Sequence, residues 1–300
     1  MKYYLALLLS LFMLTVAKAQ FKIVAYLPKY TSTLADHVDA FDFTKVTHIN
    51  IAFFNPDTLG NFSSSQGTGL DQIVTKAHLN NVKVLISIGG GGLRPNYSNL
   101  LKPENRSAFI TKIVALVSLY NVDGIDVDLE GENIDENYED FVTELSAALN
   151  KPMGKLLTAA VAWWTRERIT DACLQAFDFI NVMAYDKNGS EHSPYSYASQ
   201  HLDYWKGVRG LSSSKIVIGV PFYGYYTEGG ISKSITYKNL VTSYPGAEWK
   251  DFQKRSTGEI VNYNGIPTIQ NKTAFAQAEA GGIMFWQVLQ DQAGTSSLLG

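Results

Sequence analysis

Short runs rich in β-branched residues recur along the chain and alternate with stretches in which apolar residues return every three or four positions. Eight runs read as strands: residues 22–26, 46–54, 82–88, 124–129, 156–162, 179–185, 215–220 and 282–286. Several are apolar almost throughout, as expected of strands covered on both faces. Between them, residues 106–119 place Phe109, Ile110, Ile113, Val114 and Val117 on one helical face, and residues 137–149 repeat the pattern. Eight β-then-α units predict an α/β chain closed into a single (β/α)8 TIM barrel, a fold that needs about 250 residues. The longest interval, residues 222–281, holds turn formers such as Tyr263-Asn264-Gly265 and predicts a short insertion between strands seven and eight near the barrel mouth.

The first residues differ from the rest. Lys2 precedes an apolar run from Leu5 to Val16, and Ala17-Lys18-Ala19 has the small residues of a cleavage site, so residues 1–19 are expected to be a signal peptide removed before Gln20. The run falls short of the roughly 20 residues of a spanning helix. Residues 20–300 are then expected to be a secreted, extracellular or periplasmic barrel without a membrane anchor. A net charge of -3 with no basic block leaves no footprint for nucleic acid. The single cysteine, Cys173, sits in a helical pattern and reads as a buried, inert thiol. A large core rather than cross-links must hold the fold, and a monomer is expected. Asn-x-Ser/Thr sites at Asn61, Asn96, Asn105, Asn188 and Asn271 matter only in a host that glycosylates them.

The informative segment is Asp123-Gly-Ile-Asp126-Val-Asp128-Leu-Glu130. Side chains alternate along a strand, so Asp126, Asp128 and Glu130 share one side while Ile125, Val127 and Leu129 face the other. Three acids on one face repel, a cost met where chemistry is done, and active sites of this fold lie at the carboxyl ends of the strands. A calcium loop is a rival, since positions 126, 128, 130 and 131 match its start, but Asn137 stands where its bidentate Glu belongs. In glycoside cleavage one carboxylic acid protonates the departing oxygen, and commonly a second carboxylate attacks across the ring. Here acids two positions apart lie about 6.6 Å apart along one strand, and Pro221-Phe222-Tyr223-Gly224 supplies no opposing carboxylate. That favours an internal nucleophile, the 2-acetamido oxygen of an N-acetylated sugar.

DGIDVDLE resembles the Asp-x-x-Asp-x-Asp-x-Glu signature of the family 18 glycoside hydrolases, the chitinases and their relatives. Ser87-Ile88-Gly89-Gly90 is similar to that family's third-strand motif, Met183-Ala184-Tyr185-Asp186 to its sixth-strand motif and Met284-Phe285-Trp286 to its eighth-strand tryptophan motif; Tyr26 falls where the family has a first-strand tyrosine. The resemblance implies that Glu130 is the acid, protonating the glycosidic oxygen and later activating water. It implies that Asp128 hydrogen-bonds the acetamido N–H and stabilises the oxazolinium. Asp126 would share a proton with Asp128 and be held by Ser87 and Tyr26. Tyr185 would donate to the acetamido oxygen, Asp186 would contact the substrate near the cleavage point, and Trp286 would floor the site. Asp123 would brace the start of the strand.

Leu129 stands where many members have an aromatic residue, the last motif continues as Gln287-Val288-Leu289-Gln290-Asp291, and residues 227–280 are shorter than the α+β insertion of many processive chitinases. The resemblance implies a hydrolase of β-1,4-linked N-acetylglucosamine polymers, chitin or its oligosaccharides, acting with retention. Two alternatives stay open: an endo-β-N-acetylglucosaminidase acting on N-glycans, and a non-catalytic binder of chitin oligosaccharides. Tyr223, Tyr225 and Trp164 follow strands and are candidates for outer sugar subsites. No nucleotide, flavin or metal motif is present, so no cofactor is expected.

Overall fold

A computed structural model describes residues 20–30, 33–187 and 191–300. The expected signal peptide and the Asn188 site lie outside the described residues. The apolar runs are parallel strands β1 (Lys22–Pro28), β2 (His48–Ala52), β3 (Lys83–Gly89), β4 (Gly124–Asp128), β5 (Leu156–Val161), β6 (Phe179–Val182) and β7 (Ile216–Pro221). Strands β8 (Tyr223–Glu228), β9 (Ile231–Thr236), β10 (Phe252–Lys254) and β11 (Ile260–Asn262) precede the last barrel strand, β12 (Gly282–Trp286). The barrel order is β1-β12-β7-β6-β5-β4-β3-β2, closed by Lys22 to Ala25 of β1 pairing Gly282 to Phe285 of β12.

The helices are α1 (Leu70–Leu79), α2 (Pro95–Leu100), α3 (Pro103–Tyr120), α4 (Tyr138–Met153), α5 (Asp171–Ala176), α6 (Tyr195–Leu202), α7 (Tyr237–Ser243) and α8 (Ile266–Glu279). The helix expected over 106–119 begins three residues earlier, because Pro103 at its first position has a preset φ and lacks only an N–H that would go unpaired there. Leu116 rather than Val114 completes its buried face. Arg106 joins α3 to α4 through Asp140 and Glu144, at 3.0 and 2.8 Å. The β1–β2 connection departs from the regular unit: Leu34–His37 and Phe43–Lys45 are 3-10 turns. Cys173 is buried in α5, and burial pushes its thiol up, consistent with an inert residue.

Two layers of packing follow from strand alternation. One face of the strands, with Ile49, Ile51, Val84, Ile86, Ile125 and Val127, joins the core shared with the helices. The other fills the barrel with Val24, Tyr26, Phe179, Val217 and Met284, together with the polar residues Asn50, Ser87, Asp126, Thr158 and Asn181, all without solvent exposure.

The insertion between barrel strands seven and eight is a four-stranded antiparallel sheet, ordered β10-β11-β8-β9, with α7 beside it. Its β8–β9 hairpin turns at Gly229-Gly230, and Tyr263-Asn264-Gly265 leads from β11 into α8. The Asn264 amide donates to Ser193 O at 2.9 Å, and Gly265 N–H to Asp251 Oδ1 at 2.9 Å. Lys272 of α8 is fully buried and donates to Ser193 O, Ser193 Oγ and Asn264 Oδ1, each at 2.7 Å. Burial pushes its ammonium down to about 7. This node fastens the segment after β6 to the insertion.

At the carboxyl end of β3 the chain turns through Gly89 and Gly90, with φ of 104° and 91°. A Cβ at Gly89 would collide with the Asp128 carbonyl oxygen, and one at Gly90 would stand 2.6 Å from the Phe53 ring. Gly90 N–H donates to that same Asp128 carbonyl at 2.8 Å, so close approach of β3 and β4 requires glycine here. Gly89→Ala should therefore lower stability by about 2 kcal/mol or more, read from urea unfolding; a neutral substitution would show that the backbone is not so confined.

Candidate active site

Asp126 and Asp128 project from β4 into the barrel, and Glu130 continues the alternation because its backbone stays extended, at φ -124° and ψ 159°. Leu129 packs with Ile125 and Val127 on the outer side. Exposure increases along the ladder: Asp126 is fully buried, Asp128 nearly so, and Glu130 half-buried.

Asp126 is held by donors from four other strands. Tyr26 Oη and Ser87 Oγ donate to Oδ2 at 2.7 and 2.8 Å; Thr158 Oγ1 and Asn181 Nδ2 donate to Oδ1 at 2.6 and 3.2 Å. Burial pushes the Asp126 carboxyl up, and these hydrogen bonds pull it back toward ionisation. Asp128 has no such support. Its Oδ1 is buried without a hydrogen-bond partner, and burial, then the charges of Glu130 and Asp126, push its pKa well up. Burial and then the Asp186 carboxylate push Glu130 up, opposed by the Arg94 guanidinium.

These acids open into a cavity of about 340 Å³ lined by Tyr26, Phe53, Asp128, Glu130, Met183, Tyr185, Asp186, Tyr223, Tyr225 and Trp286, among others. Trp286 is braced by Tyr26 and Phe53, with ring centroids 5.4 and 5.5 Å away. The Tyr185 hydroxyl points at the Met284 sulfur, 3.9 Å away; burial and the Asp186 charge push its pKa up, so the hydroxyl stays a donor. Asp186 adopts a left-handed backbone, φ 58°, and its Oδ1 accepts from Tyr223 Oη at 2.5 Å.

Asp123 stands at the far end of β4. Its carboxylate accepts from Val84 N–H at 2.8 Å and lies 2.8 Å from His78 Nε2 and 3.3 Å from Lys83 Nζ, so it braces the strand and takes no part in the cavity. Among the described residues, no three His, Cys, Asp or Glu side chains converge as metal ligands. The sequence reading missed Thr158 and Asn181, whose signal was a lone polar residue within the apolar strands LLTAAV and FINV. It also missed His192, which is buried beside Tyr223 and Tyr225 with Nδ1 3.5 Å from Asp186 Oδ1; nothing local in the sequence marks it.

An eight-stranded parallel barrel with acids at the carboxyl end of its fourth strand places the chain among the (β/α)8 barrel proteins, whose sites lie at that end. Residues 22–291 match the model of the family described as "Glycosyl hydrolases family 18", and the chain belongs to that family. Among solved structures it is similar to the family 18 chitinase ChiB from the chitin utilization locus of Flavobacterium johnsoniae, with 36% identity, TM-score 0.84, and coverage of 94% of this chain and 92% of that one. A chitinase from Bacteroides thetaiotaomicron is similar at 27% identity, TM-score 0.80 and 94% coverage of each chain. Endochitinase 1 of Metarhizium robertsii is 26% identical over 275 residues, 73% of this chain; the chain spans 64% of the length of that curated relative.

The state of Asp128 has a consequence for stability. Its folded pKa is raised above the unfolded carboxyl value of about 4, so stability is full below that pH and falls as pH rises above it. Asp128→Asn removes the penalty. Its melting temperature should exceed that of the native protein at about pH 7, with the difference closing toward about pH 4; a pH-independent difference would contradict the assigned charge state.

Proposed function

We propose that the chain is a secreted glycoside hydrolase that cleaves β-1,4-linked N-acetylglucosamine polymers, chitin or chito-oligosaccharides, with retention and with the substrate's own acetamido group as nucleophile. The observation that carries this reading is that a half-buried Glu130, its pKa raised by burial and by Asp186, shares one cavity with an Asp128 whose Oδ1 has no hydrogen-bond partner. The cavity's remaining carboxylate, Asp186, is engaged by Tyr223. Its chitinase relatives support the substrate class, and the apolar leader read in residues 1–19 supports export.

In this mechanism a sugar stacks on Trp286, and its acetamido N–H donates to Asp128 Oδ1 while Tyr185 Oη donates to the acetamido oxygen. Glu130 gives its proton to the glycosidic oxygen as the acetamido oxygen bonds to C1, expelling the leaving sugar and forming an oxazolinium. The cation developing beside Asp128 favours its carboxylate form, so any proton Asp128 holds in the free enzyme passes to Asp126 or to solvent as the oxazolinium forms. The Glu130 carboxylate then takes a proton from water, which attacks C1 and restores the acetamido group.

Incubating residues 20–300 with chitohexaose should give shorter oligomers, and Glu130→Gln should lose nearly all turnover, about 1,000-fold or more, while keeping sugar binding. Release of N-glycans from a high-mannose glycoprotein with chitohexaose left intact would instead favour the glycan-processing alternative, and binding without products a non-catalytic role.

The charges around Glu130 predict its pH profile. An acid works protonated, so kcat/KM falls as pH rises through its pKa. Asp186→Asn deletes the like charge and should move that alkaline limb to lower pH; Arg94→Gln deletes the opposing cation and should move it to higher pH. Limbs that fail to move in opposite directions would remove Glu130 as the titrating acid.

A further inference from the structure

Tyr185 and Asp186 stand past the end of β6, whose last pairing is at Val182. The Ala184 N–H turns back to Val182 O at 2.8 Å, so the sheet no longer fixes the chain there. Asp186 also has a left-handed backbone, which a residue with a side chain keeps only where its surroundings impose it. Ties of another kind meet at this segment. Ser193 Oγ donates to Ala184 O at 2.9 Å and Lys187 N–H to His192 O at 2.9 Å, joining the two ends of the segment. From α8, Lys272 Nζ reaches Ser193 Oγ, Ser193 O and Asn264 Oδ1. Lys272, Ser193 and Asn264 are all buried. Asp251 is the carboxylate whose charge acts on Lys272, and its oxygens are engaged by Gly265 N–H and Thr268 Oγ1. Burying a cation costs free energy that an apolar side chain would avoid. What the ammonium adds is geometry, three donors on three acceptors from two segments.

We propose that Lys272 is a positioning residue for the reaction: through Ser193 it sets where Tyr185 and Asp186 stand at the cavity wall, and so how close the Asp186 carboxylate comes to Glu130. The inference rests on the functional reading above and adds to it a residue of the last helix that touches no substrate. Lys272 donates to the Ser193 hydroxyl, which donates in turn to the Ala184 carbonyl, one residue before Tyr185. Beside Ser193, the His192 ring packs against Tyr223 and Tyr225 and faces Asp186 at 3.5 Å. Asp186 is thus surrounded by His192, Tyr223 and Tyr225, with Tyr185 and Glu130 on the cavity side. Two ionised carboxylates repel. A segment released from Lys272 relaxes by moving Asp186 away from Glu130, and the acid then loses the like charge that helps raise its pKa.

The test is the pH profile of kcat/KM on chitohexaose for the native protein, Ser193→Ala and Lys272→Met, each with its urea unfolding curve. Ser193→Ala deletes the hydroxyl between Lys272 and Ala184 O, leaves Lys272 two of its acceptors and changes no charge. Its alkaline limb should move to lower pH, with kcat/KM at the optimum falling about tenfold or more. Lys272→Met should move the limb the same way, although loss of a cation acting through space alone would move it to higher pH. In an Asp186→Asn background, Ser193→Ala should leave the limb where Asp186→Asn alone puts it; a further shift there would count against the proposal. A role in stability alone lowers the unfolding midpoint and leaves the limb in place. That result, or a limb displaced to higher pH, would overturn the positioning role, and Ser193→Ala decides by itself if Lys272→Met does not fold. A native protein that leaves chitohexaose uncut would instead overturn the functional reading, which an active enzyme with an unmoved limb leaves standing.

Discussion

Everything at the mouth of this barrel depends on one carboxylate placed where water cannot reach it. A buried acid is tolerated only when its oxygens are hydrogen-bonded, and Asp126 meets that condition by accepting from Tyr26, Ser87, Thr158 and Asn181. Hydrogen bonds to a charged group contribute about 1.5–3 kcal/mol each, and these four draw β1, β3, β5 and β6 toward β4. The constraint is mutual: the donors fix the carboxylate, and the carboxylate fixes the strands that carry the donors.

With Asp126 satisfied, the two remaining acids are graded by position. Asp128 is buried, its Oδ1 has no hydrogen-bond partner, and burial with the two flanking acids pushes its pKa well up. Glu130 lies past the strand end, half in solvent, and is raised by burial and by Asp186. One strand thereby carries an acceptor-saturated acid, a suppressed acid and an accessible acid in succession, and only the last is suited to exchange protons with a substrate and then with water.

Rigidity around the mouth comes from separate fastenings. Lys272 joins the segment bearing His192 and Ser193 to α8 and Asn264, Tyr223 at the start of the insertion sheet holds Asp186, and Arg168 joins the segment after β5 to that after β4. These contacts tie loop segments to one another and to the barrel, which substrate positioning requires.

The alternating and continuous apolar patterns were enough to find all eight barrel strands, since burial on both faces leaves a strong local mark; the 282–286 strand was located to the residue. The acid ladder was equally legible, because a period of two fixes which side chains share a face. The insertion was readable as extra length, but its four-stranded pairing was not, because β10 and β11 are three-residue strands that exist only through their neighbours. The 3-10 link between β1 and β2 and the donors Thr158 and Asn181 escaped notice for a related reason: a single polar residue in an apolar run has no meaning until the barrel closes and brings it to Asp126. The sequence alone determined which acids share one face at the end of the fourth strand, because residue type and strand alternation are local properties. The tertiary structure decided how the charges are distributed among them, who partners Asp126, what leaves Asp128 bare, and where His192, Arg94 and Lys272 stand, because those depend on distances and burial between segments far apart in the chain.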